Sequence, residues 1–350
     1  MCRMSPASSI IDVAALARLG PDPDVVISSR VRIARNVCGL PFVNRATHAQ
    51  RHEVLRVLRK AVERSVGPGL SWLELHGAAP RDRTLLVERH LVSRHFAESD
   101  APRALAVSAD ERTSLMVNEE DHLRIQVLQS GLALDSCFST AFGVDDALAG
   151  SIDWAFHSRW GYLTACPTNV GCGIRISAML HLPALRMTRE IERVQNAAKD
   201  LHLAVRGYYG EGSVTDADFF QVSNQTTLGS TEEALLAEFR DIVLPRLVAY
   251  EREARQQLLM RDRLLLEDRV HRAQATLRAA RLLAHDEAMR LLSRVRLGAA
   301  LGLLPIDMAR VQRLMLEIQP AHLSLLRPEA AGGDDAERSV RADYVRQALA

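Results

Sequence analysis

The sequence predicts an α+β fold: an antiparallel sheet flanked by helices, followed by an all-helical C-terminal part. Three observations predict it. Short apolar runs with strand character recur between residues 24 and 130. Beyond residue 230 almost everything has helical period. Between these lies Asn118 to Gln126, which splits cleanly at period two. Leu123, Ile125 and Val127 make an apolar face, and Glu120, His122, Arg124 and Gln126 make a polar one. On its own such a strand could simply have a solvated face.

The 350 residues are enough for a large core and for about two domains. Apolar residues make up 47% and the net charge is +1, so no global field favours nucleic acid or an anionic membrane. Lysine occurs only at Lys60 and Lys199, so the basic residues are nearly all arginine. Genomic base composition accounts for that bias, but guanidinium forks also suit bidentate binding of oxyanions. The five cysteines, Cys2, Cys38, Cys137, Cys166 and Cys172, show no metal-ligand spacing, so no protein-held metal is expected. They fit a reduced, cytoplasmic setting. No signal-peptide pattern or membrane-length apolar run is evident, and export or membrane association is not expected.

Residues 1–22 read as a loose lead-in. From Asp24 a strand follows, with Arg30 and Arg32 on one face and Val31 and Ile33 on the other. Thr47 to Val66 has helical spacing and stops at Gly67-Pro68-Gly69. Apolar runs at 70–75, 84–87, 103–108 and 113–117 read as strands without intervening helices, hence an antiparallel sheet. A helix is expected at 145–158, then a turn-rich loop from Cys166 to Gly173. Strands follow at 174–182, with Arg175 and Ser177 on one face, at 202–207 ending near Arg206, and at 218–222, with a helix at 188–201. Ser230 with Glu233 suggests a capping box. Helices are expected at 231–256, broken or kinked at Pro245, and at 257–284, 286–297 and 306–318, with Asp286 and Asp307 as N-caps. Pro328 to Glu337 reads as a polar linker before a last short helix. The domain division expected is 1–22, 23–255 and 256–350.

Arg30, Arg32, Arg124, Arg175 and Arg206 each fall on a predicted strand or at its end. A lone strand arginine is ordinarily a surface residue. Five converging would repel one another unless something strongly anionic filled the space, and a polyphosphate is the natural occupant. No phosphate-cradling GxxxxGK[ST] loop is present, so side chains would do the gripping. Glu120 and Glu211 suit a cationic planar acceptor such as a guanidinium, which they could align and deprotonate. Cys166, among arginines, could carry a thiolate there, although a small buried hydrophobe is its bland reading.

Four motifs together resemble the ATP:guanido phosphotransferases, the family of creatine and arginine kinases. They are Ser28 to Arg32 (SSRVR), Asn118 to Arg124 (NEEDHLR), Cys166 to Gly171 (CPTNVG) and Arg206 to Glu211 (RGYYGE). The resemblance implies catalytic roles for Glu120, Glu211 and Cys166. It implies nucleotide binding by Ser28, Ser29, Arg30, Val31 and Arg32, by His90 and Arg124, and by Arg175, Ile176, Ser177, Ala178 and Met179. It implies the same for Arg206, Gly207, Tyr208, Tyr209, Gly210 and Glu211. ATP is implied as the donor, with Mg2+ bound mainly through the nucleotide. Small-guanidine members carry a helical domain before the SSRVR strand, and here that strand begins at residue 27. An open site admitting an arginine on a protein surface is therefore expected.

The stretches Val222 to Gly229 and Leu292 to Gly298, with the helical C-terminal part, are similar to the bacterial protein-arginine kinases within that family. That branch implies protein substrates with exposed arginines and a role in stress response and protein quality control. It also implies an McsA-like zinc protein as activator, a heat-shock repressor and a Clp ATPase as partners, and a homodimer joined through the helical part. The alternatives are a kinase of a free small guanidine, or a catalytically weak regulator that binds phosphoarginine or clients. Two departures stand out. Cys172 replaces the family's usual threonine or serine. The branch implies a phosphoarginine site at Arg338 and Arg341, but its Arg-Asp-x-x-Arg-Ala motif is matched only at Arg341-Ala342 of Glu337 to Ala342.

Overall fold

The computed structural model describes residues 15–67, 69–207 and 216–350. Eight strands form one antiparallel sheet: β1 (Val26–Arg35), β2 (Leu70–Glu74), β3 (Ala104–Ser108), β4 (Thr113–Val117), β5 (Leu123–Ser130), β8 (Ile174–His181), β9 (Leu203–Arg206) and β10 (Phe219–Asn224). A small hairpin, β6 (Phe156–His157) with β7 (Gly161–Tyr162), stands apart. The sheet order is β2-β3-β4-β5-β1-β8-β10-β9. β1 therefore lies at the centre, between β5 and β8, with Arg32 opposite Gln126 on one side and Arg175 on the other.

The helices before β10 are α1 (His48–Ser65), α2 (Pro80–Glu88), α3 (Arg94–Glu98), α4 (Leu134–Ala149), α5 (Pro183–Met187) and α6 (Ile191–Asp200). α1 begins with a reciprocal capping box between Thr47 and Gln50, which satisfies two otherwise orphaned amide donors. Its stripe of Val54, Leu58, Ala61 and Val62 is buried. Beyond β10 come α7 (Glu232–Glu238), α8 (Leu244–Arg261), α9 (Arg263–Ala279), α10 (His285–Ala300), α11 (Met308–Glu317), α12 (Pro320–Leu326) and α13 (Asp334–Leu349). The apolar core runs without a break from sheet residues such as Val31 and Ile176 to Leu292 and Val295 on α10. Residue 255, the expected domain division, falls inside α8.

The seam between sheet and α10 is polar at its centre. His181 Nδ1 accepts from Arg296 at 2.7 Å, and its Nε2 lies 2.9 Å from Ser293 Oγ. Ser293 Oγ itself donates to Asp218 at 2.8 Å, so His181 is the neutral tautomer protonated on Nε2. Burial, then Arg296 and Arg255, hold its pKa well below the usual value.

Several sequence expectations are corrected. Residues 84–87 belong to α2, and α3 follows, so helices do interrupt the early strands. Their short apolar run is too brief for periodicity to separate helix from strand. The helix expected at 145–158 is α4, which starts at Leu134; residues 156–157 enter the hairpin. Thr231 rather than Ser230 caps α7, and Asp286 lies inside the first turn of α10 with no capping bond. Asp307 does cap α11, accepting from Ala309 N. Pro245 stands just after a π turn over Phe239–Val243, which divides the helical run into α7 and α8, as a proline there was expected to do. The supposed linker after Pro328 holds a short 3-10 turn and the start of the 16-residue α13. Residues 15–22 are tied down: the Gln312 side chain donates to the carbonyls of Leu16 and Arg18.

Candidate active site

Strand parity carries arginines to one face of the sheet. Arg124 comes from β5, Arg30 and Arg32 from β1, Arg175 from β8 and Arg206 from β9, and all five line one cleft of about 1120 Å³. Gln221 of β10 sits opposite Arg206 in the ladder and also lines the cleft. Its Oε1 accepts from Arg30 at 2.6 Å. Ser177 Oγ lies 3.4 Å from Arg30 Nε. The alternate residues Val31, Ile176 and Ala178 are fully buried in the core beneath. Their side chains face away from the cleft, as period two requires. Ser29 is likewise taken: its hydroxyl donates to the Gly131 carbonyl and accepts from Ala133 N. Ser28 and Met179 pair across β1 and β8 and are buried.

Charge in this cleft is unbalanced. Among the described residues, eight arginines and two glutamates line it. Burial, then repulsion from Arg124, Arg175 and Arg206, pushes Arg30 down to about 10. Arg32 is driven well below its usual value by burial and by Arg30, Arg124 and Arg175, with Glu119 pulling the other way. Holding like charges together costs free energy that a bound polyanion would recover. The donor set thus fits a nucleotide's phosphates. Among the described residues no three His, Cys, Asp or Glu side chains are grouped as a metal site.

The two glutamates differ. Glu119 is buried, and its carboxylate meets Arg124 at 2.8 Å, Ser93 Oγ at 3.1 Å and the Glu120 amide at 2.8 Å. Burial works to raise its pKa, but Arg124, the Glu120 amide and Ser93 outweigh it and keep the carboxyl ionised. Glu120 reaches the same guanidinium at 3.1 Å with a side chain 44% exposed. β5 begins only at Leu123, so Glu120 stands in the bend before the strand and not on its polar face. His122 is also off that face. It is fully buried, with Nδ1 accepting from Val37 N at 3.0 Å and Nε2 donating to the Pro41 carbonyl at 2.9 Å. Period two breaks here because residues 118–122 form a bend; Asn118 has φ 61. Sequence reading missed Glu119, and it missed Asp121, which accepts from Asn36 and from Ala165 N, both at 2.7 Å. The signal lay in the run of three acids, of which one was singled out.

One wall is the cysteine loop. Cys166 Sγ lies 3.1 Å from Thr168 Oγ1 and lines the cleft with Thr168 and Asn169. The loop closes on Gly171, φ 113, where a Cβ would come within 2.6 Å of the Thr227 carbonyl oxygen. Cys172 is buried, with its thiol on the Thr227 carbonyl, and burial raises its pKa. It therefore serves the loop's packing. The facing wall is Val87 to His95, including His90, which burial, then Arg30 and Arg94, press down to about 3. Gly207 ends the described part of the β9 segment; Tyr208, Tyr209, Gly210 and Glu211 lie outside the described residues. Arg338 and Arg341 do not line the cleft. Arg341 is buried, donating to the Ile318 and Leu283 carbonyls and pairing with Glu337.

A family model described as the ATP:guanido phosphotransferase C-terminal catalytic domain matches residues 53–254. A second, described as the protein-arginine kinase McsB C-terminal domain, matches 263–350. The protein-arginine kinase of Symbiobacterium thermophilum is 46% identical over 87% of each chain. That of Moorella thermoacetica is 44% identical over 95% of each. The chain belongs to the protein-arginine kinase family of ATP:guanido phosphotransferases. It is a phosphotransferase, as that family is. Among solved structures, the duplicated taurocyamine kinase of Schistosoma mansoni shares the fold at a TM-score of 0.60 and 24% identity. The match covers 67% of this chain and 35% of that one. Lombricine kinase matches at a TM-score of 0.58 and 24% identity, over 68% of this chain and 70% of that one. No helix among the described residues is long and apolar enough to cross a membrane.

Proposed function

We propose that the chain transfers the γ-phosphoryl group of ATP to the guanidinium of arginine side chains in proteins. The observation that carries the donor half is the convergence of Arg30, Arg32, Arg124, Arg175 and Arg206 from four strands on one cleft. Planar forks on a rigid sheet would hold the phosphate oxygens in register, and Mg2+, bound mainly through the nucleotide, would neutralise part of their charge. The acceptor half rests on the relatives named protein-arginine kinase and on carboxylates at the cleft's edge.

In this reading the acceptor's terminal nitrogen forms the new P–N bond while the bond from the γ-phosphorus to the bridging oxygen breaks. The electron pair leaves on the diphosphate, and the displaced proton goes to a carboxylate. Base help is needed because arginine is protonated in water. Glu120, at the mouth, takes that part with Glu211, and Glu119 orients Arg124. Cys166 adds a polar sulfur beside the acceptor. The same reading places the enzyme in the cytoplasm, in stress response, as a homodimer. Its partners would be an McsA-like activator, a heat-shock repressor and a Clp ATPase.

Incubation with MgATP and an unfolded model protein should yield phosphoarginine when products are kept out of acid. Phosphorylation of free arginine with none on protein would overturn the acceptor assignment. Glu120→Gln should cut the transfer rate about 100-fold or more while MgATP binding stays within about 3-fold. Unchanged turnover would remove Glu120 from the role given.

A further inference from the structure

The segment Val87 to His95 forms a wall of the cleft, yet its outer side is held by the C-terminal helices. Glu88, buried at the end of α2, accepts from the amides of Ala321 at 2.7 Å and His322 at 3.0 Å, at the start of α12. It also meets His322 Nδ1 at 2.7 Å. The other ring nitrogen, Nε2, accepts from Arg89 Nε at 3.3 Å. These partners define the neutral tautomer: Nδ1 carries the proton toward the carboxylate and Nε2 offers its lone pair to the guanidinium. Arg89 is closed on the far side by an ion pair with Glu111 in the β3–β4 turn. His322 is fully buried and Arg89 nearly so, and Leu85, Ala321 and Leu325 pack into a small apolar cluster between the same two helices. None of Glu88, Arg89, Glu111 or His322 lines the cleft.

The next residue does. His90 has φ 57, a left-handed conformation that a non-glycine residue keeps only when its surroundings hold it. From inside, Gln126 donates to the His90 carbonyl at 2.8 Å. From outside, the restraint is the bonded block of Glu88, Arg89 and His322. Three residues on, Ser93 hands its hydroxyl to Glu119, which in turn grips Arg124. A shift of this wall would therefore move the His90 imidazole and loosen Arg124 together.

We propose that His322 is a positioning residue for the nucleotide site. Through Glu88 and Arg89 it holds the His90 wall in its strained form, so the helical C-terminal part completes the site that the sheet begins. This rests on reading the cleft as a nucleotide site and adds a residue that does not touch the ligand. Removing the imidazole leaves a buried carboxylate and a buried guanidinium each short of a partner, and the left-handed turn is free to relax.

The test is calorimetric MgATP binding by the full chain without acceptor, alongside steady-state transfer kinetics. His322→Ala should weaken MgATP binding about 10-fold, and raise KM for ATP alike, while kcat and KM for the protein acceptor move less than about 2-fold. His322→Asn, whose amide reproduces the Nδ1 donor, should recover most of that loss. His322→Leu keeps most of the bulk but withdraws both the donor facing Glu88 and the acceptor facing Arg89, and it carries the test if the alanine variant does not fold. A folded alanine or leucine variant that binds MgATP as the wild type does overturns the proposal. So does a loss shared equally by kcat and by both KM values, or no recovery with asparagine. Wild-type protein that binds no MgATP overturns the reading of the cleft and this inference with it. Wild-type binding without protein phosphorylation touches only the acceptor assignment.

Discussion

Two groups of arginines lie within this fold and are treated in opposite ways. At the seam between sheet and helices, Arg255 meets Glu251 at 2.8 Å and Asp24 at 3.3 Å. Arg296 beside it donates to His181 and to the carbonyls of Asp24 and Pro23. Every charge there has a carboxylate or a fixed acceptor nearby. In the cleft, the bonds of Arg30 go to a neutral amide and a hydroxyl, while three further arginines press on it. The seam shows how this chain neutralises arginines when their purpose is to join elements. The contrast marks the cleft as a place prepared for an anion that the chain does not itself supply.

The sharpest way to break that comparison is to strip one arginine from each group. Arg255→Ala leaves Glu251 buried and unpaired, and should cost about 3–5 kcal/mol of unfolding free energy in urea titrations, with MgATP affinity of the folded fraction unchanged. Arg30→Ala should do the reverse. MgATP affinity should fall by about 1.5–3 kcal/mol by calorimetry, while apo stability is unchanged or higher because repulsion is relieved. If Arg30→Ala destabilises the apo protein as Arg255→Ala does, the distinction fails.

Ligand stabilisation gives a third reading. At 100 times its Kd, MgATP should stabilise the wild type by about 2.7 kcal/mol, and Arg30→Ala much less at the same concentration. A fourth reading concerns pH. His90 is pressed from 6.5 to about 3, so the unfolded chain binds a proton there that the folded one refuses. Its contribution to stability is whole above pH 6.5 and drains away as pH falls toward 3. His90→Asn should flatten that part of the stability–pH profile in urea melts. An unchanged slope would show that other buried histidines, such as His181, set it alone.

Much of the site was legible because strand parity is a strict rule. Arg30 and Arg32, two apart, had to share a face, as did Arg175 and Ser177, and the structure brings them together. The rule failed at residues 118–122, where the chain bends before β5 and local alternation loses meaning. Glu119, Ser93 and Gln221 were not legible. Their places follow from contacts between residues 26 and 191 apart in sequence, which no window of periodicity contains. Helix ends were misplaced where a cap one residue away competed, as with Thr231 against Ser230.

By itself, then, the sequence determined that a sheet with arginines on alternate positions would precede a helical C-terminal part, since both periods are written in local order. Four motifs carried the family. Tertiary structure alone decided that β1 stands between β5 and β8, which sums separate arginines into one field. It alone decided that Glu119 rather than Glu120 is the buried partner of Arg124, and that His322 reaches across 234 positions to Glu88 beside His90. Those outcomes depend on packing and on the cost of burying a charge without a partner, which are properties of the assembled fold and not of any one segment.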